Sequence, residues 1–194
     1  MLAIAAVALL AGCTAAQPAT VEPRSHQLSL NPTRSPWPSS TGPHLPEVVS
    51  HGPRTGNAVA LTFDADMTPE MLQRLRSGQV RSYANRKIID LLEERGVPAT
   101  FFLTGMWVRE YPDVMTRLAV NPAFELANHS WSHGAFTPSC YGLSPIPRAE
   151  MAAELQRTFD IIAPYGGNQT RFFRFPGLCS VSYTHLTLPT IYSV

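Results

Sequence analysis

The chain has 194 residues, a formal net charge of +1, and charged side chains at only 15% of its positions. That length supports one domain with a real core. The charge balance excludes an electrostatic nucleic-acid binder, which would carry a basic stripe, so no nucleic-acid partner is expected.

Residues 1–13, "MLAIAAVALLAGC", form an apolar run that ends in small residues and a cysteine. The run is too short to cross a bilayer, which takes about 20 residues. It reads as a secretory signal. Its ending, Leu10 to Cys13, resembles the lipobox of bacterial lipoproteins. That resemblance implies lipidation of Cys13, a membrane partner through a lipid anchor, and a place in the bacterial cell envelope. The lysine or arginine that usually precedes the apolar core is missing, and a plain signal peptide would leave the protein secreted. Residues 14–57 hold eight of the 18 prolines, mixed with Ser, Thr and Gly, and show no apolar period. Such a segment is expected to be a semi-stiff linker. His26, His44 and His51 lie in it and read as solvated.

Order is expected from Ala58. "AVALTF" has the pattern of a buried strand. "NRKIIDLLEERG" predicts an amphipathic helix stopped by Gly96. Ala99–Leu103 is the second predicted strand. Trp107 to Val120 is a helical stretch broken at Pro112. "AFELANH" predicts a third strand. Pro147 opens a helix with Met151, Leu155, Phe159 and Ile162 on its apolar face. "TRFFRFPG" predicts a fourth strand. Strands alternating with helices indicate an α/β fold, a parallel sheet or barrel of β-α units.

In such a fold the carboxyl ends of the strands share one face, where functional residues gather. Asp64 and Asp66 follow the first strand, His129 and His133 the third, and Arg174 the fourth. If His129 and His133 lie on one helical turn, their rings point the same way and suit a metal grip. With a carboxylate they make a three-ligand set that leaves room for water and substrate.

"TFDAD", "HSWSH" and "FFRFPG", in that order, resemble the first three motifs of the polysaccharide deacetylases, carbohydrate esterase family four, also called the NodB-homology domain. "GVPATFFLTG" and "ELANHSWSH" resemble that family as well. The resemblance covers about Asn57 to Cys179, and it implies the N-terminal part of a distorted (β/α) barrel over residues 58–180. It implies metal-dependent N-deacetylation of an amino-sugar polysaccharide such as peptidoglycan, poly-N-acetylglucosamine or chitin. An O-acetyl ester substrate stays open. By resemblance Asp64 is the general base, His129 and His133 hold a divalent metal, usually zinc, and Arg174 orients Asp64. The backbone N–H near Gly177 would help bind the oxyanion.

The sequence departs from that pattern in several places. The family's second aspartate, its third metal ligand, is replaced by Ala65, with Asp66 one residue later. A backbone turn would bring Asp66 to the metal. An extended strand would put Asp64 and Asp66 on one side and Ala65 on the other. The third motif lacks the tyrosine that usually follows its proline. The family's later motifs, including the Leu-x-His whose histidine is the general acid, do not appear before Cys179. Residues 181–194, including His185, resemble translated sequencing-adapter read-through, a non-native tail. Deacetylation is therefore expected of the intact parent, with the activity of this chain in doubt.

Cys140 and Cys179 lie in loops expected to rim the same mouth, as a disulfide or as two free thiols. Trp131 and Tyr141 are candidates for stacking on sugar rings. Two further readings compete. "DADMT" also resembles the nucleophile motif of haloacid-dehalogenase-type phosphatases, with Asp64 attacking phosphorus and Asp66 as acid/base. The single lysine, Lys87, stands in the wrong order for that family. The other reading is a non-catalytic, glycan-binding envelope lipoprotein, for which Ala65 is the main support.

Overall fold

A computed structural model describes residues 51–52, 55–179 and 192–193. The signal segment with Cys13, nearly all of the linker, and His185 lie outside the described residues. The chain divides into two units, and every described residue belongs to the second, Gly42–Val194.

Among the described residues, five parallel strands form one sheet in sequential order: β1 (Thr62–Ala65), β2 (Ala99–Leu103), β3 (Phe124–Asn128), β4 (Asn168–Phe173) and β5 (Tyr192–Ser193). β5 falls within the residues read as a non-native tail. Between the strands run α1 (Pro69–Arg76), α2 (Arg86–Glu94), α3 (Gly105–Glu110), α4 (Pro112–Val120) and α5 (Met151–Ile162). Parallel neighbours need crossovers, and helices supply those that link β1 through β4.

The expected first strand, Ala58–Phe63, forms later and shorter. Val59 is 88% exposed and Leu61 42%, so its opening residues are not buried. Among the described residues β1 is an edge strand with β2 on one side only, which leaves its apolar start uncovered. α1 has no counterpart among the predicted elements, yet its signal is legible. Thr68 caps it by accepting from the Met71 N–H, and Pro69 stands at its start. The break at Pro112 is real: Tyr111 leaves helical geometry between α3 and α4. Pro147 leads first into a short 3₁₀ turn, Arg148–Glu150, and α5 begins at Met151.

Among the described residues two apolar clusters cover the sheet. The larger joins Phe101 and Leu103 of β2 to Trp107, Met115 and Leu118 of α3 and α4. The smaller joins Leu155 of α5 to Phe173, Phe175 and Phe136. Together they seat α5 against β3 and β4, next to the segment that follows β3.

Candidate active site

The site is built from the residues that follow the strand ends. Thr104 donates its N–H to the Ala65 carbonyl, His129 to that of Leu103, and Arg174 to that of Asn128. Each residue just past a strand is thus hooked to the last residue of the strand before it. The ladder fixes where the side chains of Asp66, His129 and Arg174 start.

Asp64 and Asp66 both face this mouth, while Ala65 packs against the larger core cluster. The alternation of an extended chain carries through Asp66. Asp66 Oδ1 lies 3.4 Å from His129 Nε2 and 3.4 Å from His133 Nε2. It is buried and has no hydrogen-bond partner. The three residues offer ligand atoms within 4.8 Å of one another. Two donors each about 2.1 Å from one ion at the tetrahedral angle stand about 3.4 Å apart. An orphaned buried carboxylate oxygen at that separation from two imidazole nitrogens fits a divalent metal.

The histidine pair reaches this geometry by another route than the one expected. His129–His133 is a loop, not a helical turn, with Ser130 and His133 at positive φ (66° and 56°). Asn128 accepts from the Ser130 N–H, and Ser130 Oγ accepts from the His133 N–H. The tight loop brings the ring centroids to 4.9 Å. His129 is 1% exposed, and its Nδ1 sits 2.8 Å from the Arg174 carbonyl. A carbonyl only accepts, so Nδ1 carries the proton and the Nε2 lone pair faces Asp66.

Burial pushes the Asp66 carboxyl up, but His129 and His133 opposite it outweigh that and hold it below its ordinary range. Burial is the largest influence on His133 and keeps it below the usual imidazole value, with Asp66 pulling the other way. Both shifts favour the deprotonated forms that bind metal.

Asp64 is held separately. Arg174 Nη1 donates to its Oδ1 at 2.7 Å, and Arg174 Nη2 donates to Thr62 Oγ1 at 3.1 Å. The guanidinium lies 3.9 Å over the Phe102 ring. Asp64 Oδ2 is left facing the histidines, 3.9 Å from His129 Nε2. Gly177 sits exposed in the turn Pro176–Leu178 at φ 64°. A Cβ there would lie 2.6 Å from the Cys140 sulfur, so the turn tolerates only glycine. Cys140 and Cys179 are bridged, with Cα atoms 6.0 Å apart.

The two aromatic candidates part company. Trp131 is 8% exposed and lies under Arg157, whose guanidinium is 3.6 Å from the ring centroid. It is packing, not a sugar platform. Tyr141 is 90% exposed. Lys87, which the phosphatase reading would need, is exposed on α2. The residue that sequence reasoning missed is Glu154 of α5, whose Oε2 accepts from the N–H groups of Trp131 and Ser132. As one acid among several on an amphipathic helix, it carries no sequence signal of that contact.

A family model described as polysaccharide deacetylase matches residues 51–189. The peptidoglycan-N-acetylglucosamine deacetylase of Bacillus cereus is 29% identical over 125 residues, 64% of this chain and 38% of that protein. A chitooligosaccharide deacetylase of Rhizobium leguminosarum bv. trifolii is 41% identical over 79 residues, 41% of this chain and 30% of that protein. The chain therefore spans well under half the length of these curated relatives. A solved peptidoglycan N-acetylglucosamine deacetylase superposes with a TM-score of 0.56 at 24% identity, covering 77% of this chain and 60% of the other. At that identity the likeness is one of fold.

Proposed function

The chain belongs to the polysaccharide deacetylase family, and from that premise we propose that it hydrolyses acetyl groups from an amino-sugar polysaccharide, with a divalent metal held by Asp66, His129 and His133. One observation carries the reading. Asp66 Oδ1 is buried, unpartnered and 3.4 Å from both imidazole nitrogens, beside a second carboxylate held by an arginine.

The chemistry such an ion supplies is polarisation of the acetyl carbonyl and a lowered pKa for water. Zinc is the preferred ion, because two imidazoles and one carboxylate are a donor set it favours. Asp64 is the base. Its Oδ1 is engaged by Arg174, so Oδ2 is the oxygen that takes the proton from water. Arg174 keeps that carboxylate oriented through a charge-assisted bond. His129 presents its Nε2 because its Nδ1 proton is committed to a carbonyl. The Gly177 N–H is the proposed oxyanion donor, in a turn that the Cys140–Cys179 bridge pins in place.

The relatives are named for peptidoglycan and chitooligosaccharide, which supports an N-acetylated glycan as substrate, and peptidoglycan is the one we propose first. Tyr141 is the aromatic available to a sugar ring. The test is acetate release from N-acetylglucosamine oligomers and from peptidoglycan, before and after chelation. Zinc should restore the activity that chelation removes. Turnover indifferent to chelation would sink the reading.

A further inference from the structure

The two histidines flank three residues, Ser130 to Ser132, that are outside the candidate ligand set yet are held by hydrogen bonds from two helices. On one side the start of α3 takes their carbonyls: Gly105 donates its N–H to Ser130 O and Met106 to Trp131 O, each at 3.0 Å. On the other side α5 takes their donors. Glu154 Oε2 accepts from Trp131 N at 3.0 Å, Ser132 N at 2.9 Å and Ser132 Oγ at 3.1 Å. One residue on, the Leu155 carbonyl accepts from the side chain of Asn128. Asn128 in turn caps Ser130.

We propose that Glu154 is a positioning residue for the metal centre, setting the shape of the His129–His133 loop through three bonds that converge on one carboxylate oxygen. The loop needs such a hold. It places two non-glycine residues at positive φ, a conformation L-residues adopt only when their surroundings impose it. The Trp131 and Ser132 N–H groups would otherwise have no partner in a partly buried turn. Trp131 secures the same contact from its other face, between Gly105 and Arg157. A ligand pair joined by a loop is only as well spaced as the loop, and groups that orient metal ligands typically change affinity 10- to 100-fold when removed.

The inference rests on the metal reading of Asp66, His129 and His133. The test is zinc affinity of the full chain, stripped with chelator and titrated against a chromophoric competitor, alongside its thermal midpoint without metal. All three bonds end on one oxygen, and an amide oxygen can accept them. E154Q should therefore stay within about threefold of wild type. E154A should weaken zinc binding about 10- to 100-fold. E154D, one methylene short of the loop, should weaken it similarly, and it stands in for the alanine variant if that chain does not fold. A folded E154A or E154D chain with wild-type zinc affinity, whatever its midpoint, overturns the proposal and leaves the metal reading intact. Wild-type protein that binds no zinc removes both.

Discussion

Asp64 and Asp66 are two residues apart and have different surroundings, so their substitutions should separate. D64N should still bind zinc and lose about 10²- to 10⁴-fold in kcat, the range of a lost general base. D66N should lose zinc itself, because an amide is a poor replacement for a charged ligand. Acetate release paired with metal content distinguishes the two. Protons act here with a definite sign. His133 is held below its ordinary value of 6.5 by burial, so below that pH the unfolded chain binds a proton the folded chain resists. Metal-free protein should lose stability as pH falls through 6.5, and again below about 3.8, where Asp66 repeats the effect for a carboxylate whose ordinary value is 3.8. Denaturant midpoints against pH, compared with H133N, check the first step. The chemistry of these residues was legible in "TFDAD", "HSWSH" and "FFRFPG". The geometry of the ligand set was less so. Whether Asp66 could stand in for the missing aspartate depends on where β1 stops, and whether the histidines converge depends on a loop shaped from α3 and α5, both distant in sequence.

At the scale of elements, helix ends and loops decide the site more than the strands do. α3 begins against the histidine loop so closely that a Cβ on Gly105 would lie 2.1 Å from the Trp131 ring. G105A should cost about 1–3 kcal/mol by overpacking and weaken zinc binding as well, because the same ring anchors the loop. Leu155 is fully buried in the smaller cluster, and L155A should cost about 2–5 kcal/mol. The Cys140–Cys179 bridge spans 39 residues, a loop for which the chain-entropy model gives about 4 kcal/mol. Thermal midpoints of oxidised and reduced protein measure it. The sequence allowed either a bridge or free thiols, since no local pattern says that two loops 39 residues apart will meet. Helices announced by periodicity and glycine stops, such as α2, were readable. β1 was displaced because an edge strand leaves its apolar start uncovered, an outcome set by the sheet and not by the segment.

For the whole molecule, the lipobox-like Cys13 and the Pro-rich segment after it propose a tethered enzyme whose working residues all lie within Gly42–Val194. If Cys13 is lipidated, C13A should move the protein from the membrane fraction to the soluble one without altering zinc affinity. Intact-mass analysis of the membrane-bound form should show the added lipid. The proposed site then depends on one face, where residues from the ends of β1, β3 and β4 meet. Arg174 ties that face together in two ways: its guanidinium holds Asp64, and its main-chain carbonyl holds His129. The two holds answer differently to genetic change. Substituting the side chain releases Asp64, the proposed base, and leaves the carbonyl, hence the imidazole tautomer, where it was. Drift at this codon would therefore disable the proposed base while sparing the three candidate ligands, so a descendant could outlive the proposed hydrolytic activity with the proposed metal site intact.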